Sequence, residues 1–288
     1  MNLARPPFRV DSAQTAEAAA EEIVQSFHTL ENLPEKVSRV FAALADCLAT
    51  APDHALVRAG QSLAKAIDHD DPRFNLPYHN TQHVCEVMLC CHYLALLRNL
   101  DTCATLEIIL AALFHDLRHD GKNRGDEPFR LERNSVRLAE PYLLAAGVAP
   151  AQRRKLAALV LSTHPLTGHP VAHAIYNHHH HDTPLPEIPP AAPELAELGY
   201  RPAADHALIL CVADILPSLG LTIDYALILQ EKLAQEWGTH LGLEDKLRFI
   251  DNTRHMFAVC DFFTPNIHHL TAYLLDHLQA PIHAGETG

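Results

Sequence analysis

Apolar positions recur at spacings of three and four through nearly the whole chain, while runs that alternate apolar and polar residues are almost absent. That period matches the 3.6-residue helical turn and not the two-residue strand, so the pattern predicts an all-α protein. Helices are expected at 16–30, 34–49, 54–67, 83–97, 105–115, 131–146, 151–163, 203–216, 221–238, 243–262 and 267–278. Pro34 suits a first helical position, where its missing N–H costs nothing. Pro52, Pro72, Pro77, Gly121, Gly125, Gly147, Pro150, Pro165, Gly199, Pro202 and Pro265 fall where helices should end. Two longer interruptions are expected as loops: 165–182, which carries His178-His179-His180-His181, and the proline-dense 183–202.

Length and composition narrow this picture. With 288 residues, 48% of them hydrophobic, the chain can bury a sizeable core. A lead over 1–52 packing on a main domain at 53–282, then a polar tail at 283–288, is the expected organisation. The formal net charge of −13 excludes a partner held through many phosphates, because that needs clustered Lys and Arg. No nucleic-acid polymer is therefore expected, and no membrane, since no apolar run reaches about 18 residues. Residues 1–10 lack the apolar core of a signal peptide. The 7 cysteines form no Cys-x-x-Cys pair and read as reduced core residues, so the expected compartment is the cytoplasm.

Histidine is the outlier, at 22 copies. Tyr78-His79-Asn80-Thr81-Gln82-His83 and Phe114-His115-Asp116-Leu117-Arg118-His119-Asp120-Gly121 place nitrogen and carboxylate ligands beside apolar helices. In a helix, positions four apart share a face, so His79 can join His83 and His115 can join His119 in one cavity. Neighbours such as His115 and Asp116 point roughly 100° apart, which implies a site wrapping a helix end. An adjacent carboxylate can bridge two ions, and Asp214, a lone acid within the apolar run 210–216, is the best candidate to complete the set.

Four elements in order, Tyr78-His79-Asn80-x-x-His83, His115-Asp116-x-x-His119-x-Gly121, Leu131-Glu132-Arg133-Asn134 and Ala213-Asp214, resemble the catalytic domain of class I cyclic-nucleotide phosphodiesterases, within the HD-domain superfamily. The resemblance spans about 74–264 and implies a compact multi-helix bundle. It implies that His83, His115, Asp116 and Asp214 bind the tighter ion, zinc. Asp116 would bridge to a second ion, magnesium or manganese, with iron as an option, whose shell draws on His119, Glu132 and Thr163. His79 would be the general acid, with Asp116 and His119 in the catalytic group. Tyr78, Lys246 and Phe249 would contact substrate.

The implied chemistry is hydrolysis of a small anionic phosphodiester, a 3′,5′-cyclic nucleotide first, by a hydroxide bridging two cations while His79 protonates the departing alkoxide. A homodimer is left open. Three departures bear on substrate. Lys246 stands where the family carries a base-reading glutamine three residues before the phenylalanine, here Phe249, and an ammonium only donates hydrogen bonds. Ile215-Leu216-Pro217-Ser218 replaces the family's Leu-Ser-Asn-Pro, and His164 replaces an aspartate after Thr163. An imidazole there can become a ligand and favour iron or manganese. Competing expectations are a phosphodiesterase for another organophosphate, a di-iron oxygenase using His164 and His178 to His181 as extra nitrogens, and a binding module without catalysis.

Overall fold

The computed structural model describes residues 14–122 and 127–279. Gly125, residues 1–10 and the 283–288 tail lie outside them. The described residues form twelve α-helices and no strand: α1 (Ala16–Leu30), α2 (Lys36–Cys47), α3 (Ala55–Asp68), α4 (Thr81–Leu97), α5 (Thr102–Phe114), α6 (Arg130–Ala145), α7 (Pro150–Ser162), α8 (Gly168–His181), α9 (Arg201–Leu219), α10 (Ile223–Trp237), α11 (Leu243–Thr253) and α12 (Thr264–Gln279). Short 3-10 turns at Pro72–Phe74, Pro193–Gly199, Arg254–Val259 and Asp261–Phe263 connect them.

Three helices make the centre. α4 buries every residue from Gln82 to Ala95, α5 every residue from Ala104 to Phe114, and α9 nearly all of 203–219. A helix apolar all round has no face to give to water, so it is enclosed by others. Here α4 packs on both α5 and α9, while α2, α3, α7, α8 and α10 cover them. The outer helices carry one stripe each, as in α3 with Leu56, Val57, Gly60, Leu63, Ala64 and Ile67. Where α2 crosses α3 the approach admits no side chain, since a Cβ on Gly60 would lie 1.9 Å from Phe41 Cζ. α1 and α2 bury Phe27 and Phe41 in the same apolar cluster as the central helices. α9 is the one described helix long and apolar enough to cross a membrane, and 83% of its apolar window is buried in the bundle.

Several sequence expectations need correction. The segment expected as a loop at 165–182 is mostly helix α8, because Val171, Ala172, Ile175 and Tyr176 form a buried stripe, and Pro170 sits in the first turn, where its missing N–H has no helical partner anyway. Pro150 and Pro202 open α7 and α9 instead of ending anything. Pro217 lies within α9. Pro34 precedes α2, which starts at Lys36. The helix expected over 243–262 stops at Thr253 and continues as 3-10 turns.

Candidate metal centre

His83 lies in the first turn of α4, and the turn is set by Asn80, whose side-chain oxygen accepts the N–H of Gln82 (2.8 Å) and of His83 (3.1 Å). His115 is the C-cap of α5. Its Nδ1–H donates to the Ala112 carbonyl at 2.8 Å, which leaves the Nε2 lone pair facing inward. That Nε2 stands 3.1 Å from Asp116 Oδ2 and 3.4 Å from Asp214 Oδ1. His83 Nε2 stands 3.4 Å and 3.2 Å from the same two oxygens. One ligand atom from each of the four residues lies within 4.8 Å of the other three.

Two imidazole nitrogens and two carboxylate oxygens therefore converge, and with its one proton on Nδ1 a neutral His115 brings none to the cluster. Both His83 nitrogens and His115 Nε2 are buried without a hydrogen-bond partner. Unpartnered buried polar nitrogens are costly, and a divalent cation can take a lone pair from each ring together with the two carboxylates. The donor set fits such an ion. Without one, protons take its place. Burial disfavours charge on His83, but Asp116 and Asp214 overrule it and raise the group to about 9. His115 is raised as well by the same two acids, again against burial. Burial would lift Asp116 and Asp214, yet the imidazoles hold both well below the ordinary carboxylate range.

A second group adjoins the first. Glu236 on α10, its side chain 1% exposed, accepts the backbone N–H of Tyr78 (3.0 Å) and His79 (2.9 Å) with Oε2 and the Nδ1–H of His79 (2.5 Å) with Oε1. His79 Nε2 is thereby left towards Asp116 Oδ2, 3.8 Å away. The His119 ring stacks on His79 at 3.7 Å, and its Nδ1 accepts the N–H of Gly121 at 3.1 Å. Burial and the neighbouring His79 push His119 down to about 4, so it is neutral with its proton on Nε2. Gly121 is required here: its φ is +68°, and a Cβ would meet Glu236 Cγ at 3.2 Å and Leu76 Cδ1 at 3.3 Å.

The helical pairings expected for these histidines do not hold. α4 begins at Thr81, so His79 precedes it, and residues 115–118 are a turn in which Arg118 has φ +57°. A left-handed residue ends the helix before His119. His119 therefore joins His79 and Glu236, not His115. Glu236 was not singled out in the sequence; in Gln230-Glu231-Lys232-Leu233-Ala234-Gln235-Glu236 it reads as one more surface acid of an amphipathic helix.

Glu132, in the first turn of α6, is buried with Oε2 unpartnered. Burial, aided by the Asp116 charge, lifts it to about 7, and it stands in neither ligand cluster. Thr163 is buried, and its hydroxyl donates to the Val160 carbonyl at 2.8 Å. His164 is in neither ligand cluster: its Nδ1 accepts the Thr167 N–H and its ring lies 4.7 Å from Phe129. His169, not singled out in the sequence, is buried with Nε2 unpartnered, and Asp214 is the carboxylate acting on it. The run His178 to His181 is engaged elsewhere, with His180 on Asp205 (2.7 Å), His179 on the Gly199 carbonyl and His178 on that of Thr183. It supplies no ligand to either cluster.

Tyr78 packs against His79 and His83, and its hydroxyl lies 3.3 Å from Ser218 Oγ. Lys246 is buried, with Nζ 5.9 Å from the Phe249 ring centre, and burial lowers it to about 8. A cavity of about 260 Å³ opens beside the centre, walled by His79, Asp116, Asp70, Phe74, Leu117 and Arg118.

The family model of 3′,5′-cyclic nucleotide phosphodiesterases matches residues 78–126. Among solved structures, the phosphodiesterase domain of the RhoPDE fusion protein from the choanoflagellate Salpingoeca rosetta is similar at TM-score 0.58 and 15% identity, over 96% of this chain and 95% of that one. LmjPDEB1 in complex with IBMX is similar at TM-score 0.55 and 15% identity, over 96% and 92%. Comparison with curated protein sequences finds no match. The matched segment carries His79, His83, His115, Asp116 and His119, and the fold around it is that of these domains. The chain thus shares the fold of these phosphodiesterase domains, and the segment 78–126 that matches the family model is the one that carries most of the cluster.

Proposed function

We propose that this protein hydrolyses a small phosphodiester, with a 3′,5′-cyclic nucleotide as the first substrate to test. The observation that carries the reading is the convergence of His83, His115, Asp116 and Asp214 beside a histidine anchored by a buried glutamate. Zinc in this set, with magnesium or manganese beside Asp116 and Glu132, would supply an activated water and positive charge for the phosphoryl oxygens.

The chain's own part is proton delivery. Glu236 fixes the His79 ring through Nδ1, so Nε2 is the nitrogen placed to pass a proton to an alkoxide leaving group. His119, neutral and stacked on His79, closes the opposite ring face to water. Tyr78 and Phe249 would line the substrate side, with Lys246 beside Phe249.

A second reading, a phosphodiester other than a cyclic nucleotide, is favoured by Lys246. Among the described residues its buried ammonium has the Phe249 ring for a partner, which suits an acceptor or anionic group on the substrate. Turnover of cyclic AMP, cyclic GMP, bis(p-nitrophenyl) phosphate and alkyl diesters, in zinc, manganese and iron, separates the two. His79→Ala is expected to keep metal while losing about 10²–10⁴-fold on alkyl diesters, and Asp116→Ala or Asp214→Ala to lose metal as well. Two irons per chain with oxygen consumption and no diester turnover would replace hydrolysis with oxygenation.

A further inference from the structure

Arg118 has no part in the chemistry above, yet it sits inside the turn that carries it. It follows Asp116 by two residues and precedes His119, with a backbone φ of +57° that an arginine rarely adopts. Its side chain is committed elsewhere. Nε donates to both oxygens of Asp70, at 2.8 and 3.1 Å, and Nη2 donates to Asp70 Oδ1 at 2.8 Å. The guanidinium also lies 5.2 Å from the centre of the Phe74 ring. This forked contact on an aromatic plate is one that a lysine cannot reproduce.

The far end of the clip leads straight to the proton donor. Asp70 follows α3, Asp71 caps the 3-10 turn that ends in Phe74, and Asn75 Oδ1 accepts the N–H of Thr81. Leu76 N–H donates to the His79 carbonyl at 3.1 Å, and Asn80 Nδ2 donates to the carbonyls of Leu76 and Pro77. Residues 70–80 are thus one hydrogen-bonded strap holding His79, and residues 115–119 one turn holding Asp116. Between them lies the 260 Å³ cavity, so few atoms of the bundle fill the gap. Arg118 spans it.

We propose that Arg118 is a positioning residue, whose ion pair with Asp70 sets the place of His79 relative to Asp116. The inference rests on reading His79 as the proton donor. Misplacement of a reacting group by about 1 Å can cost about 10²-fold.

The test compares wild type, Arg118→Ala, Arg118→Lys and Asp70→Asn on an alkyl diester and on bis(p-nitrophenyl) phosphate, whose aryl leaving group needs little protonation. Arg118→Ala and Asp70→Asn should lose about 10–100-fold in kcat on the alkyl diester, with KM, metal content and aryl turnover little changed. Arg118→Lys should fall between. Equal losses on both substrates, unchanged alkyl turnover, or loss of metal would each overturn the proposal. Should wild type turn over neither diester, the functional reading fails by itself. The positioning role is then read from the imidazole NMR signal that vanishes in His79→Asn: it should shift in Arg118→Ala, and an unmoved signal overturns the proposal.

Discussion

Binding of the first metal ion should displace protons, and the structure says how many and at what cost. In the ion-free protein His83 is raised to about 9, so near neutral pH its imidazole is charged, and His115 is raised in the same direction by the same two acids. A cation must expel a proton from each. For His83 alone, the gap of two pH units at neutrality amounts to about 2.7 kcal/mol, or about 100-fold in affinity. His115 adds to it. The expected result is release of about two protons per ion and an affinity that climbs about 100-fold per pH unit while both imidazoles remain protonated. Competition titrations at several pH values give the slope, and calorimetry in buffers of different ionisation enthalpy gives the proton count. A flat affinity, or release of less than about one proton, would refute the charge distribution assigned to the cluster. Stability should follow the same logic. Histidines raised in the fold stabilise the ion-free protein below their ordinary value near 6.5, and that support is lost as pH climbs through about 9. Asp116 and Asp214, depressed in the fold, stabilise it above the ordinary carboxylate range and cease to do so as pH falls through their lowered values. The ion-free protein should therefore melt highest in the mildly acidic window between.

Two further outcomes are expected. Glu132→Gln should lower metal content from two ions per chain to one; and because burial raises Glu132 to about 7, the ion-free variant should melt several degrees above wild type on the alkaline side of that value, with the gap closing in acid. Metal analysis and melting curves check both, and an unchanged two-ion content would remove Glu132 from the site. Gly121→Ala, at φ +68° and 3.2 Å from Glu236 Cγ, should cost about 1 kcal/mol or more in stability. It should also slow alkyl-diester turnover by moving Glu236 under His79; melting and turnover together test it.

The helices were legible because three- and four-residue spacing is a local signal, and α4, α5 and α9 could be recognised as helical even though they are apolar all round. The candidate cluster was legible for a related reason: His115 and Asp116 are adjacent, and Asp214 is a lone acid in an apolar run. What failed were boundaries and long-range partners. A single left-handed residue, Arg118, separates His119 from the helical face of His115, and no local pattern announces it. α8 was hidden by two prolines and a histidine run, although Val171, Ala172 and Ile175 carried its stripe. Glu236 could not be found locally at all, because only the packing of α10 brings it under His79, 157 positions away in the chain.

The enclosure of α4, α5 and α9 has a consequence for how such a domain can diverge. A helix touched on every side can neither slide nor rotate without opening voids on one flank and collisions on the other. The candidate ion ligands are thus anchored to the least adjustable part of the molecule. Lys246, on the outer helix α11, and the Thr163–His164 corner stand outside that frame. Such peripheral segments can drift over long divergence while the central packing stays fixed, which is the pattern a chain only 15% identical to the domains whose fold it shares would leave.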